Sequence, residues 1–123
     1  MQGLFVPAVT YIQALRYRAK VFPEMARLFK KFDVMITPTM PFVATKTGTT
    51  IEDNTIMHCT GSFNLLGFPA LSIPCGFVGG LPVGMQIVGN AFDETSVLRV
   101  GLAYEKTSKF YLREPPPLTR FPK

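Results

Sequence analysis

Residues 64–89, NLLGFPALSIPCGFVGGLPVGMQIVG, constrain the fold more than any other part of the chain. The stretch is apolar enough for a buried core, yet glycine or proline interrupts it every few residues. Pro69, Pro74, Gly79, Gly80 and Pro82 would break a single helix, and no run of about 18 apolar residues is uninterrupted, so it is not expected to span a membrane. Two apolar runs, 70–78 and 81–88, flank Gly79-Gly80, a pair that accepts the positive φ angles of a two-residue turn. The spacing predicts an antiparallel β-hairpin over 70–88.

The flanking segments carry other periods. Ile56, Met57, Phe63 and Leu66 have helical spacing, and Gly67 followed by Pro69 is a stop signal, which predicts a helix over 56–66. Asp93 is a good N-cap for an amphipathic helix over 93–110 that contains Val97, Leu98, Gly101, Leu102 and Tyr104. Near the start, Tyr11, Ile12, Leu15, Phe22, Met25, Phe29 and Phe32 recur mostly three and four apart. They predict a helical region over 10–32, which Pro23 should kink or restart. Val34, Met35 and Ile36, within 33–41, form a short run without polar alternation, as expected of a central strand covered on both faces. Residues 43–55 are rich in threonine and small polar groups and read as an exposed connection, and 114–123 as an extended tail.

Helix, strand, helix, hairpin and helix in that order define an α/β chain. With 123 residues, 47% of them apolar, it has material for a core, as one ordinary domain or a piece of a larger one. Three helical segments are too few to cover a sheet whose outer strands also need partners, so the larger sheet is the expectation. The net charge of +5 raises the question of nucleic acid, because Arg16, Arg18, Lys20, Arg27, Lys30 and Lys31 lie in one helical region. Their alternation with the apolar positions makes them the solvated face of an amphipathic helix, and no base-reading motif is present; no nucleic-acid partner is expected. MQGLFVPAVTYIQ lacks a basic leader followed by an apolar segment and cleavage site, so a cytoplasmic location is the default expectation. Cys59 and Cys75 read as free thiols rather than a disulfide framework.

Three segments in order, YIQALRYR, FDVMITPTMP and FNLLGFPALSIPCGFVGGLPVGMQIVGNAFDETSVLRVGLAYE, resemble the C-terminal part of the amidase signature family. The most specific part is Asn-x-x-Gly-x-Pro-Ala-x-x-x-Pro-x-Gly at Asn64, Gly67, Pro69, Ala70, Pro74 and Gly76. The resemblance covers roughly Tyr11 to Tyr111 and implies an α/β fold with a mixed sheet flanked by helices. It also implies hydrolysis of carboxylic amides by a serine, a second serine on a cis peptide bond and a lysine, all upstream in a Gly/Ser-rich region. None of those motifs occurs in this sequence, so no catalytic residue is assigned. By position, the resemblance implies that Asn54, Met57 and Gly61 line the acyl side of the substrate pocket, and their spacings of three and four would put them on one helical face. Met57 as an ordinary core residue is the alternative. The tRNA-dependent amidotransferases of the family carry an aspartate near the Met57 position to hold glutamine, which argues against glutamine as the substrate here.

Local chemistry offers no replacement for the upstream site. Ser108 and Lys109 are neighbours in sequence and would not face one another on a helix; nor would His58 and Cys59, whose side chains would point about 100° apart. One histidine and two cysteines without C-x-x-C spacing make no zinc site, and TKTGTT lacks the order of a phosphate-binding loop. No cofactor or metal is therefore expected. The chain reads as the structural and pocket-forming C-terminal portion of an amidase, inactive by itself. Its expected partners are a small-molecule amide and the N-terminal remainder of the fold, with a homo-oligomer left open and no membrane. A free-standing, non-catalytic binding or interaction module that keeps this part of the fold is the alternative.

Overall fold

The structure, a computed structural model, describes residues 5–51 and 53–113, the side chains of Asp53 and Asn54 excepted. The 114–123 segment expected as a tail lies outside the described residues. In chain order the elements are α1 (Ala8–Leu28), β1 (Val34–Pro38), α2 (Asp53–Ile56), α3 (Gly61–Leu66), β2 (Ala70–Val78), β3 (Leu81–Gly89) and α4 (Glu94–Ser108), with a short 3-10 turn at Phe110–Leu112.

The hairpin organises the rest. β2 and β3 pair antiparallel from Ala70 opposite Val88 to Val78 opposite Leu81, and Gly79 and Gly80 turn between them at φ +58° and +82°. Both angles lie in the left-handed region, as a type I′ turn requires. β2 bulges between Pro74 and Gly76, where proline has no N–H to give to the ladder. β1 joins the other side of β3, antiparallel, with Val34 opposite Gly89 and Pro38 opposite Met85. Among the described residues the order is β1-β3-β2, with β3 in the middle and the strand expected to be central on the outside of this three-stranded sheet. An uninterrupted apolar run indicates two covered faces and says nothing about which neighbours the backbone finds. All three strands are antiparallel; the mixed sheet implied by the family resemblance is not seen among the described residues.

Strand alternation splits the core in two. Val88 on one face packs with Phe63, Leu66 and Phe68, and Val21, Phe22, Met25 and Phe29 of α1 and its C-terminal turn close over them. Phe68 is the hub, stacked on Phe22 at 5.1 Å between centroids and tilted against Phe29 at 5.3 Å. On the opposite face Ile87 and Ile73 pack under Val97, Val100 and Tyr104 of α4. Gly101 makes that approach close: a Cβ there would run into Leu71. Asp93 accepts the Ser96 N–H at 3.2 Å and so caps α4.

Both helical regions depart from their expected bounds. α1 is one helix through Pro23, so of the kink or restart expected there the restart does not occur, since the single lost hydrogen bond is offset by Val21, Phe22 and Met25 packing on both sides of the proline. It ends at Leu28, where the backbone tightens and the Lys31 N–H bonds the Leu28 carbonyl. The helix expected over 56–66 is two short ones, α2 and α3, separated by a turn at residues 57–60. A continuous helix would need the Cys59 carbonyl for the Phe63 N–H. That carbonyl instead accepts from Gln86 at 3.1 Å.

Candidate functional site

A row of polar side chains crosses the sheet face that α1 and α3 cover. Thr37 of β1, Gln86 of β3 and Ser72 of β2 stand opposite one another in register. Gln86 Nε2 donates to Thr37 Oγ1 at 3.0 Å and to the Cys59 carbonyl at 3.1 Å. One step along, the Thr39 and Ser72 hydroxyls bond each other at 2.6 Å across Gly84. Glycine at position 84 makes that bridge feasible, because a Cβ there would lie 3.0 Å from both hydroxyl oxygens. The row ends in a groove of about 740 Å³ lined by Thr39, Pro41, Phe42, Val43, Ser72 and Gly84 among others. It is an apolar trough with two hydroxyls at its floor, and no described lining residue is ionisable. Such a surface can orient a neutral polar group but does not itself supply a nucleophile and base.

Of the residues proposed for the pocket, Met57 and Gly61 bound the turn that Gln86 reaches and are not in the groove. Asn54 belongs to α2, and its side chain lies outside the described residues. Met57 is in the turn and 56% exposed, so it is not a core side chain here. Its carbonyl accepts from Gly61 N–H at 2.7 Å, and a Cβ on Gly61 would sit 3.5 Å from the Met57 Cβ. Met57 and Gly61 are therefore adjacent, although no helix connects them. The expectation that a helical face unites these residues is corrected: a local turn brings the pair together. Neither lines the groove, and Gln86, through the Cys59 carbonyl, is what joins turn and row.

His58 and Cys59 follow Met57 in the same turn, and Cys59 and Cys75 are both free thiols. Ser108 ends α4, and Lys109 follows in a left-handed conformation at φ +55°. Arg18, read in the sequence as part of a solvated basic face, instead donates to the Leu65 and Leu66 carbonyls at 2.7 and 3.2 Å. It caps the C-terminus of α3, where unpaired carbonyls favour a cation. The Asp93 carboxyl is held below its ordinary value of 3.8, chiefly by hydrogen bonds from the side chain and then the backbone of Ser96. Sequence reasoning passed over Thr37, Thr39, Ser72 and Gln86. The available signal was Gln86, one polar residue inside the apolar run LPVGMQIVG.

The fold and the order of these segments match solved amidase structures. A crystal structure of an amidase superposes with a TM-score of 0.79 at 28% identity, covering 85% of this chain and 26% of that one. The A subunit of the glutamyl-tRNA(Gln) amidotransferase from Thermotoga maritima superposes with a TM-score of 0.74 at 35% identity, covering 82% of this chain and 23% of that one. These likenesses define the class, the amidase signature fold. The family model for amidases matches residues 4–98, and the chain belongs to the amidase family. The corresponding A subunit of the Symbiobacterium thermophilum glutamyl-tRNA(Gln) amidotransferase is 42% identical over 109 residues, 85% of this chain and 22% of that protein. The chain thus spans about a fifth of the length of the curated relatives it matches.

Proposed function

We propose that the chain is the C-terminal portion of an enzyme that hydrolyses the carbon–nitrogen bond of carboxylic amides in the cytoplasm. Its role is to complete the sheet and to form the acyl-side wall of the amide's site with Asn54, Met57 and Gly61. The serine, cis-serine and lysine that perform the chemistry belong to the upstream remainder, which is its partner. The observation that carries this reading is the family match over residues 4–98, in a chain that spans about a fifth of its relatives. The groove floored by the Thr39 and Ser72 hydroxyls supports a role in shaping a site rather than in attacking a bond.

The amide itself is read as uncharged and apolar or aromatic near Met57, since a thioether adapts to irregular apolar shapes and gives no partner to an ammonium group. A second reading, that the amide is glutamine's, is favoured by the relatives that are named as A subunits of glutamyl-tRNA(Gln) amidotransferase. The test of the division of labour is reconstitution. The 123-residue chain alone should hydrolyse no amide, and joining it to the upstream portion of an amidase should give turnover. Hydrolysis by the isolated chain that disappears in His58→Ala or Cys59→Ala would replace this reading with a local thiol site.

A further inference from the structure

Among the described residues Gln86 is the one polar or charged side chain that is buried, at 4% exposure, on the same face of β3 as Val88. A carboxamide in such a place is costly unless its polar atoms are bonded, and an apolar residue of similar volume would fill the same space. What glutamine adds is a link. Its Nε2 holds the Thr37 hydroxyl of the edge strand and the Cys59 carbonyl of the turn at once. The turn's own hydrogen bonds are local: His58 N–H to the Thr55 carbonyl at 3.3 Å, and Thr60 and Gly61 N–H to the Met57 carbonyl at 3.2 and 2.7 Å. They shape the turn but do not attach it to the sheet. We propose that Gln86 is a positioning residue, a clamp whose bond to the Cys59 carbonyl sets the place of the Met57–Gly61 turn relative to β3.

Met57 is two residues from the clamped carbonyl, so a turn released from Gln86 moves the wall it carries. This consequence rests on the proposal that the turn borders the amide's acyl group. The clamp has two readouts in the complete enzyme: the ratio of kcat/KM for amides with a small and a bulky acyl group, and the thiol-labelling rate of Cys59 relative to Cys75. Gln86→Leu should shift the ratio about tenfold, mainly through KM, and raise relative Cys59 labelling about tenfold, as expected for a lost buried hydrogen bond. Gln86→Met, unbranched and suited to an apolar surrounding, is made alongside so that a folding failure of the leucine variant does not end the test. Thr37→Val removes the other acceptor and should leave both readouts within about twofold. Unchanged labelling and unchanged selectivity in a folded Gln86 variant would overturn the clamp. Met57→Ala separates the two claims. Raised Cys59 labelling in the Gln86 variants, with selectivity unchanged in them and in Met57→Ala, would support the clamp and overturn the pocket reading beneath it.

Discussion

Met57 shows what a single position can and cannot carry. Because it is 56% exposed in a turn, a charge placed there is not forced into this chain's own core. Met57→Asp in the complete enzyme should therefore leave the melting temperature nearly unchanged while raising kcat/KM for a cationic amide relative to a neutral one. A collapse of stability with unchanged selectivity would return Met57 to the core. Asp93 gives a pH-dependent prediction. Its folded pKa lies below its ordinary value of 3.8, so the cap's contribution is fully present above that value and is lost as pH falls through the lower folded value. Asp93→Asn keeps an acceptor for the Ser96 N–H and should flatten the acid limb of a plot of melting temperature against pH. Asp93→Ala should lower the melting temperature at neutral pH, and an acid limb identical in wild type and Asp93→Asn would refute the assignment.

Among the elements, α1 depends most on one remote residue. None of its residues is fully buried, and its hold on the sheet runs through Phe22 and the turn residue Phe29 against Phe68, with Arg18 on the carbonyls of α3. Phe68 is 6% exposed, and replacing it removes both ring contacts together with a large buried surface. Phe68→Ala should cost about 3–5 kcal/mol, measured by urea unfolding of the complete protein, and Phe68→Leu distinctly less. An equal loss in both variants would mean that the ring geometry contributes and the volume does not. Val9, Ile12 and Leu15 in the first half of α1 are each more than two-fifths exposed and lie beyond the reach of this cluster.

Those side chains belong to a wider pattern across the molecule. Ile36 on the edge strand, Leu98 and Leu102 on α4, and Phe92 at 94% exposure all face outward. β1 and β2 are each paired on one side only among the described residues. A chain with free strand edges and scattered large apolar groups at its surface is prone to associate. Sedimentation of the isolated chain should show concentration-dependent association, which joining to the upstream portion suppresses. A monomeric, cooperatively folded species at high concentration would instead favour the free-standing binding module. No helix among the described residues is long and apolar enough to cross a membrane.

What the sequence determined by itself is local. Gly79-Gly80 admits the left-handed backbone of a hairpin turn whatever surrounds it, Asp93 reaches an N–H three residues on, and the Asn64–Gly76 pattern marks the family. The tertiary structure decided what no local period encodes. The place of β1 in the sheet order, the capping by Arg18 and the hydrogen bonds of Gln86 each depend on groups far apart in sequence. Arg18 meets Leu65 across 47 positions, and Gln86 meets Cys59 across 27 and Thr37 across 49. Helical spacing records which side chains would share a face if the backbone bonds stayed internal. The bond from the buried Gln86 carboxamide to the Cys59 carbonyl ties the turn at the break to the sheet, a contact between residues far apart in sequence that no local period can encode.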